Sequence, residues 1–176
     1  MEDRIEEDAS QIVNVRTERA PLHIVLYEPE IAANVGAIGR TCVGLGAKLW
    51  LIEPLGFQIS DRKLKRAGLD YWPYLDWELV PNWSELCRRL SGSENDSMRR
   101  RFFYFTKRGA RNYDEVDYEL GDVFVFGAES RGLPASLLED SARTLRIPIR
   151  PQIRSLNISV SVAIASFEAR RQLKFG

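Results

Sequence analysis

The chain has 176 residues, about the length of one domain. Hydrophobic residues make up 44% of it, enough for a core, and its 25 basic and 25 acidic side chains leave a formal net charge of +0. No apolar run reaches the ~20 residues of a membrane span and the acidic start does not resemble a secretory signal, which points to the cytoplasm.

The charge is unevenly spread. Residues 1–20 hold six acids and three bases, whereas residues 21–176 hold 22 bases and 19 acids. The acid-rich start lacks periodicity and is expected to be a mobile extension or a loosely docked arm, with residues 21–176 forming one domain. The basic excess of that domain is small, yet local patches can bind phosphate even in a neutral chain. Cys42 and Cys87 match no metal-ligand spacing and read as buried thiols. His23, the single histidine, opens an apolar strand and cannot build a His-rich metal site, so no metal is expected.

Leu22–Tyr27 (LHIVLY) reads as a buried strand, ended by Glu28-Pro29-Glu30. Ile31–Gly46 predicts a helix with Asn34 as cap, apolar positions at Val35, Ile38, Cys42, Val43 and Leu45, and Gly46 as its stop. Gly36, Gly39 and Gly44 each cost such a helix about 1 kcal/mol relative to Ala, so close approach of another backbone or a ligand is expected. Arg40 lies six residues beyond Asn34 and off its helix face. If Asn34 sits in the preceding loop, the two can still reach one site. Lys48–Ile52 (KLWLI) is the next strand, which makes a parallel pair. Ser60–Ala67 (SDRKLKRA) predicts a short, very basic helix, either a solvated face or a phosphate grip.

A short strand is expected near Glu78–Val80, then a helix from Asn82 or Ser84 to about Leu90, then a polar loop over 91–97. Phe102–Thr106 (FFYFT) and Val123–Phe126 read as further buried strands. The turn Gly127–Leu133 follows the second of these, at the sheet edge where open α/β sheets bind ligands. Pro134 suits a first helical turn, which predicts a helix to about Asp140. Thr144–Ile147 is the last strand. Pro148 and Pro151 then force a shaped loop. Ser155 or Asn157 caps a long helix whose residues 158–169 are apolar nearly all round, relieved only by Ser159, Ser161 and Ser166. A helix of that kind is covered on most sides, by its own core and by a partner subunit. Five or six strands alternating with helices make an α/β fold, a parallel sheet flanked by helices.

No G-x-G-x-x-G or Walker A loop is present, which argues against a dinucleotide or ATP site. No G-x-S-x-G elbow exists and His23 stands alone, which argues against a Ser-His-Asp hydrolase. Polar residues gather instead at three strand ends: Asn34 to Arg40, Gly127–Pro134, and Ile147–Asn157. They offer an acid (Glu129), two arginines (Arg40, Arg131), and amides and a hydroxyl (Asn34, Asn157, Ser155). Such a set suits a polar, partly apolar small molecule with an anionic partner nearby.

Three segments carry a resemblance: LYEPEIAANVGAIGRTC, FVFGAESRGLP and RIPIRPQIRSLNISVSVAIASFEARRQ. With IEPLGF and DRKLKRAGLDY between them, the chain resembles the SPOUT superfamily of RNA methyltransferases over about residues 22–173. Within it the match is to the TrmL (YibK) branch, the tRNA wobble-position (34) ribose 2′-O-methyltransferases. The resemblance implies a deep C-terminal trefoil knot, S-adenosylmethionine held in it, tRNA as substrate, and a homodimer packed through the first and last helices. It implies cofactor contacts at Phe105, Gly127, Ile147 and Ser155. It implies a catalytic and substrate-side set of Asn34, Arg40, Glu129, Ser155 and Asn157, with RNA contacts at Lys63, Arg66, Arg131 and Arg154.

Methyl transfer to a ribose hydroxyl is an in-line displacement, in which the protein positions two reactants and relieves the hydroxyl of its proton. A guanidinium, with a pKa above about 12, is a poor base, so Arg40 is expected to orient the adjacent phosphate and stabilise the developing alkoxide. The group that takes the proton is left open. Phe167 stands where the branch usually has Tyr, Trp72 where it often has His, and Ala128 where it usually has Pro. Phe167 in particular keeps another tRNA position or rRNA open as the target, and an RNA-binding protein without catalysis is the reading of a different class.

Overall fold

The computed structural model describes residues 20–58, 70–90 and 101–175. Along the chain it places β1 (Leu22–Tyr27), α1 (Ala32–Leu45), β2 (Lys48–Ile52), β3 (Trp77–Val80), α2 (Trp83–Leu90) and β4 (Phe102–Phe105). There follow β5 (Arg111–Asn112), β6 (Asp122–Phe126), β7 (Thr144–Arg146) and α3 (Ile158–Leu173). The predicted basic helix over 60–67 with Lys63 and Arg66, the loop over 91–97, and residues 1–19 of the predicted extension lie outside the described residues.

The seven strands form one sheet in the order β3-β2-β1-β6-β4-β7-β5, with every neighbouring pair parallel. A parallel sheet is covered on both faces, which is why its central strands read as unbroken apolar runs. Successive side chains point to opposite faces. Leu22, Ile24 and Leu26 therefore join Leu49, Leu51, Phe124 and Phe126 on one side, under Val35, Ile38 and Leu45 of α1 and Val162, Ala165 and Ala169 of α3. Val25, Trp50, Ile52, Val123 and Val125 point the other way and meet Leu86 and Leu90 of α2. α2 starts where expected, with Asn82 Oδ1 accepting from the Glu85 amide at 2.9 Å. His23, the second residue of β1, is buried and accepts from Trp50 Nε1 at 3.0 Å. Cys42 is a buried free thiol that burial pushes up to about 12, and Cys87 is half-buried and also raised by burial.

Several expectations need correction. The sheet has seven strands rather than five or six, because β5 is only two residues long and carries no apolar pattern. No helix runs from Pro134 to Asp140. Pro134 takes an extended ψ of 146°, and only a single 3-10 turn forms at Ala135–Leu137 before a second at Ser141–Arg143. Asn34 does not cap α1. The helix begins behind it at Ile31, and Asn34 is buried in the first turn. α3 runs to Leu173, past the apolar stretch of 158–169. In the single chain Val160 of this helix is 45% exposed and Phe167 52% exposed.

The glycines of α1 divide in two. A Cβ on Gly39 would press on Leu75, Trp72 and Tyr71, so this glycine admits the 71–75 segment, and the Tyr71 hydroxyl donates to the Gly36 carbonyl. Gly44 has nothing within 4 Å of the place where its Cβ would sit. Its face of α1 is open.

Candidate active site

β1 is flanked by β2 on one side and β6 on the other, so the chain winds away from it in both directions. The crevice at the carboxyl ends of such strands is where open α/β sheets bind ligands. A cleft of about 660 Å³ opens there, lined by residues after β1, β4, β6 and β7. That volume falls within the roughly 300–1,000 Å³ of small-molecule sites.

The loop after β6 is shaped by its glycines. A Cβ on Gly127 would overlap the Gly132 carbonyl carbon and the Leu133 nitrogen, so two backbones touch here. The Gly132 amide donates to the Ala128 carbonyl at 2.8 Å, and Gly132 itself sits at φ 71°, which L side chains rarely adopt. The loop therefore folds back and presents Glu129, Ser130 and Arg131.

Each of these three side chains is tied to the loop after β1. Glu129 Oε2 accepts from the Glu30 amide at 2.8 Å, and Oε1 accepts from Asn34 Nδ2 at 2.9 Å. In return Glu30 accepts from the Ser130 amide at 2.8 Å and from the Ser130 hydroxyl at 2.6 Å. The bond from the Ser130 hydroxyl, with that from the amide, holds the Glu30 carboxyl below the usual carboxylate range. Arg131 is paired with Glu28, a residue at φ 51°, and lies 3.9 Å from Glu30. Tyr27 beside Glu28 has its phenol raised, chiefly by burial.

The third loop joins through Asn157. Its Oδ1 accepts from the Ser159 amide at 2.8 Å and caps α3, and its Nδ2 donates to Asn34 Oδ1 at 3.0 Å. Asn34 thus stands between Glu129 and Asn157, both its donor and its acceptor engaged. It can do so because it is in the first turn of α1 rather than before it.

Of the residues expected at the site, Asn34, Phe105, Gly127, Glu129, Arg131, Ile147, Arg154, Ser155 and Asn157 all line the cleft. Phe105 stacks on Phe126 with ring centroids 4.6 Å apart, and with Leu145 and Ile147 it gives the cleft an apolar wall. Ser155 is exposed and its hydroxyl makes no hydrogen bond with a described residue. Arg40 is not part of this cleft. It lies on the outer face of α1, 4.8 Å over the Tyr71 ring and 3.6 Å from Asp70, because with Asn34 inside the helix the two point to different sides. Thr106, Lys107 and Arg108 line the cleft and were not foreseen. Their signal was present: a polar turn closed by Gly109 directly after a buried strand, as at Gly127. Among the described residues no group of three or more His, Cys, Asp or Glu side chains could hold a metal ion, and no helix is long and apolar enough to cross a membrane.

Residues 21–167 match the SpoU rRNA Methylase family. The tRNA (cytidine(34)-2′-O)-methyltransferase of Methylovorus glucosotrophus (strain SIP3-4) is 43% identical over 154 residues, 86% of this chain and 96% of its own. The protein of the same name from Burkholderia pseudomallei (strain 1106a) is 44% identical over 155 residues, 87% of this chain and 96% of its own. A solved structure described as "Structural insights into the 2-OH methylation of C/U34 on tRNA" is 44% identical, with a TM-score of 0.78 over 88% of this chain and 97% of that one. The SpoU methyltransferase AviRb from Streptomyces viridochromogenes, solved with the cofactor AdoMet, shares the fold at 21% identity, with a TM-score of 0.79 over 96% of this chain and 63% of that one.

Proposed function

The chain belongs to the SpoU rRNA methylase family, and from that membership we propose that it moves a methyl group from S-adenosylmethionine to the ribose 2′-hydroxyl of nucleotide 34 in tRNA. Relatives with 43% and 44% identity over 96% of their own length bear the name of that activity. One observation carries the reading: the three loops converge on one cleft, and a bonded chain from Glu129 through Asn34 to Asn157 locks them together.

The residues fit the cofactor. Gly127 lets backbone approach where any Cβ would collide, and Phe105, Leu145 and Ile147 provide an apolar wall for a flat ring. Exposed Ser155 provides a hydroxyl beside it. When bound, S-adenosylmethionine supplies a methyl already made electrophilic by the sulfonium charge. The work left to the protein is to orient the ribose, exclude water and accept the hydroxyl proton. Glu129 is a brace rather than the base: both its oxygens already accept hydrogen bonds that hold the neighbouring loop. Asn34 and Asn157 are held in one rotamer by each other and pre-organise the rim of the cleft. Arg131 and Arg154 on the cleft wall meet RNA, joined by Lys63 and Arg66.

Arg40 enters through a second copy of the chain. Ala33, Ala37, Arg40 and Gly44 form an exposed stripe on α1, and exposed Val160, Phe167 and Arg171 with half-buried Ile164 form a matching stripe on α3. Both helices pack on the same face of the sheet. Small residues on one helix beside apolar ones on the next suit a homodimer in which Arg40 of each chain serves the partner's cleft. Residues 21–176 act as one domain in the cytoplasm, with the C-terminal segment knotted. In support of the knot, the chain leaves β7, runs along the cleft wall through 147–157 beside the 127–132 loop, and returns as α3 to join α1.

The test is to incubate the protein with radiolabelled S-adenosylmethionine and tRNA lacking the 2′-O-methyl group at position 34, and to map the labelled nucleotide. Label on ribose 34 is the expected result. Label elsewhere, or none, overturns the assignment.

A further inference from the structure

Four cations on the cleft wall have no partner among the described residues. Lys107, Arg108, Arg150 and Arg154 line the cleft and are exposed, and no side chain among them forms a hydrogen bond or ion pair with a described residue. Arg131, the fifth base of the lining, is already paired with Glu28. The one carboxylate among the described residues of the lining, Glu129, is spent on the Glu30 amide and Asn34. A chain of net charge +0 has therefore gathered positive charge at one wall of its cleft.

The platform beneath two of these cations is built, not loose. Residues 106–109 form a turn in which the Gly109 amide donates to the Thr106 carbonyl at 3.2 Å, leaving Lys107 and Arg108 as its exposed centre. The Thr106 amide donates to the Leu145 carbonyl at 2.9 Å, and the Ala110 amide donates to Thr144 Oγ1 at 3.1 Å. Arg146 Nη1 donates to the Gly109 carbonyl at 3.1 Å while its Nε is held by Asn112 Oδ1 at 2.9 Å. A Cβ on Gly109 would overlap the Leu145 carbonyl, so the turn lies flush on β7. A second turn, closed by the Ile153 amide on the Arg150 carbonyl at 3.3 Å, carries Arg150 in the next loop of the same wall.

We propose that Lys107 and Arg108, with Arg150 and Arg154, grip backbone phosphates of the RNA on either side of the nucleotide being methylated. This rests on the reading of the cleft as an RNA methylation site. The cofactor brings a single carboxylate, far fewer negative charges than four cations can meet, whereas an RNA strand presents a phosphate at every nucleotide. Phosphate contacts position a strand without reading its bases. The unforeseen turn after β4 is thus a substrate-positioning device, and Arg146, through the Gly109 carbonyl, is a positioning residue for it.

The test compares the wild-type chain with Lys107→Ala/Arg108→Ala. RNA affinity is measured by anisotropy on labelled tRNA over a series of KCl concentrations, and S-adenosylmethionine affinity by calorimetry. The double variant is expected to bind tRNA on the order of tenfold more weakly and to lose about 0.7 from the salt slope for each lost contact, with cofactor affinity unchanged. Lys107→Arg/Arg108→Lys should restore both RNA readouts. An unchanged slope and affinity overturn the proposal. An equal fall in cofactor affinity also overturns it, because the turn is then structural or holds the cofactor's carboxylate. If the wild-type chain labels an RNA position other than 34, the same salt series on that RNA still decides the grip, since phosphates carry no sequence.

Discussion

Gly127 marks the place in the cleft where one atom decides the outcome. Its missing Cβ is the space in which the Gly132 carbonyl carbon and the Leu133 nitrogen lie. A clash with backbone cannot be relieved by turning a side chain, so the whole 127–133 loop has to shift. Gly127→Ala is therefore expected to weaken S-adenosylmethionine binding by at least tenfold and to lower stability by about 1–3 kcal/mol, read by calorimetry and thermal melting. Unchanged affinity would show that the cofactor does not use this loop. Asn34 makes a different point at the same scale. As an amide near a helix start it looks like a cap, and the local pattern offers no hint of its two partners. Only the fold brings Glu129 and Asn157 to it.

Among the elements, α3 depends most on the residue that caps it. Asn157 caps the helix with Oδ1 and ties it to α1 with Nδ2. The two jobs can be separated. Asn157→Ala loses both, and the cap alone is worth about 1 kcal/mol, a fall in Tm of roughly 2–4 °C for a chain of this size. Asn157→Asp keeps the capping acceptor, in a charge state favourable at a helix start, but sets a carboxylate oxygen against Asn34 Oδ1. Its Tm should stay within the error of the wild type while single-turnover methylation falls steeply. Equal Tm losses in both variants would mean that the Asn34 bond, not the cap, carries the stability. The 134–140 segment shows the limit of local signals at this scale. Proline at a first helical turn is a fair start signal, but Pro134 has an extended ψ and the segment closes as a single 3-10 turn.

For the molecule as a whole, the open stripes on α1 and α3 matter most. Phe167 at 52% exposure and Val160 at 45% are large apolar side chains left in water by the single chain. Phe167→Glu should convert a dimer into monomers in analytical ultracentrifugation and abolish methylation while each chain keeps its fold. A wild-type chain that sediments as a monomer would remove the basis for Arg40 acting across subunits. Complementation is the sharper test of that role. Arg40→Ala and Asn157→Ala, each inactive alone, should recover about a quarter of the wild-type rate when mixed and allowed to exchange, since half the dimers are mixed and one cleft in each is whole. No recovery would place Arg40 in its own chain's reaction.

How much of this was legible in the chain follows from the range over which each feature is encoded. LHIVLY, KLWLI and VFVF announced buried parallel strands because a sheet covered on both faces favours apolar side chains there. Asn82 and Asn157 announced helix starts because a cap bonds an amide two or three residues away. The three loops of the cleft were visible as glycine and proline punctuation after strands. The tertiary structure alone decided which loops meet, that Asn34 joins them, that the 106–109 turn belongs with them, and that Arg40 does not. Those facts depend on strand order and on contacts such as Asn34–Glu129 and Asn34–Asn157, across 95 and 123 residues of chain. No local propensity spans such distances; only burial of the shared core brings those residues together.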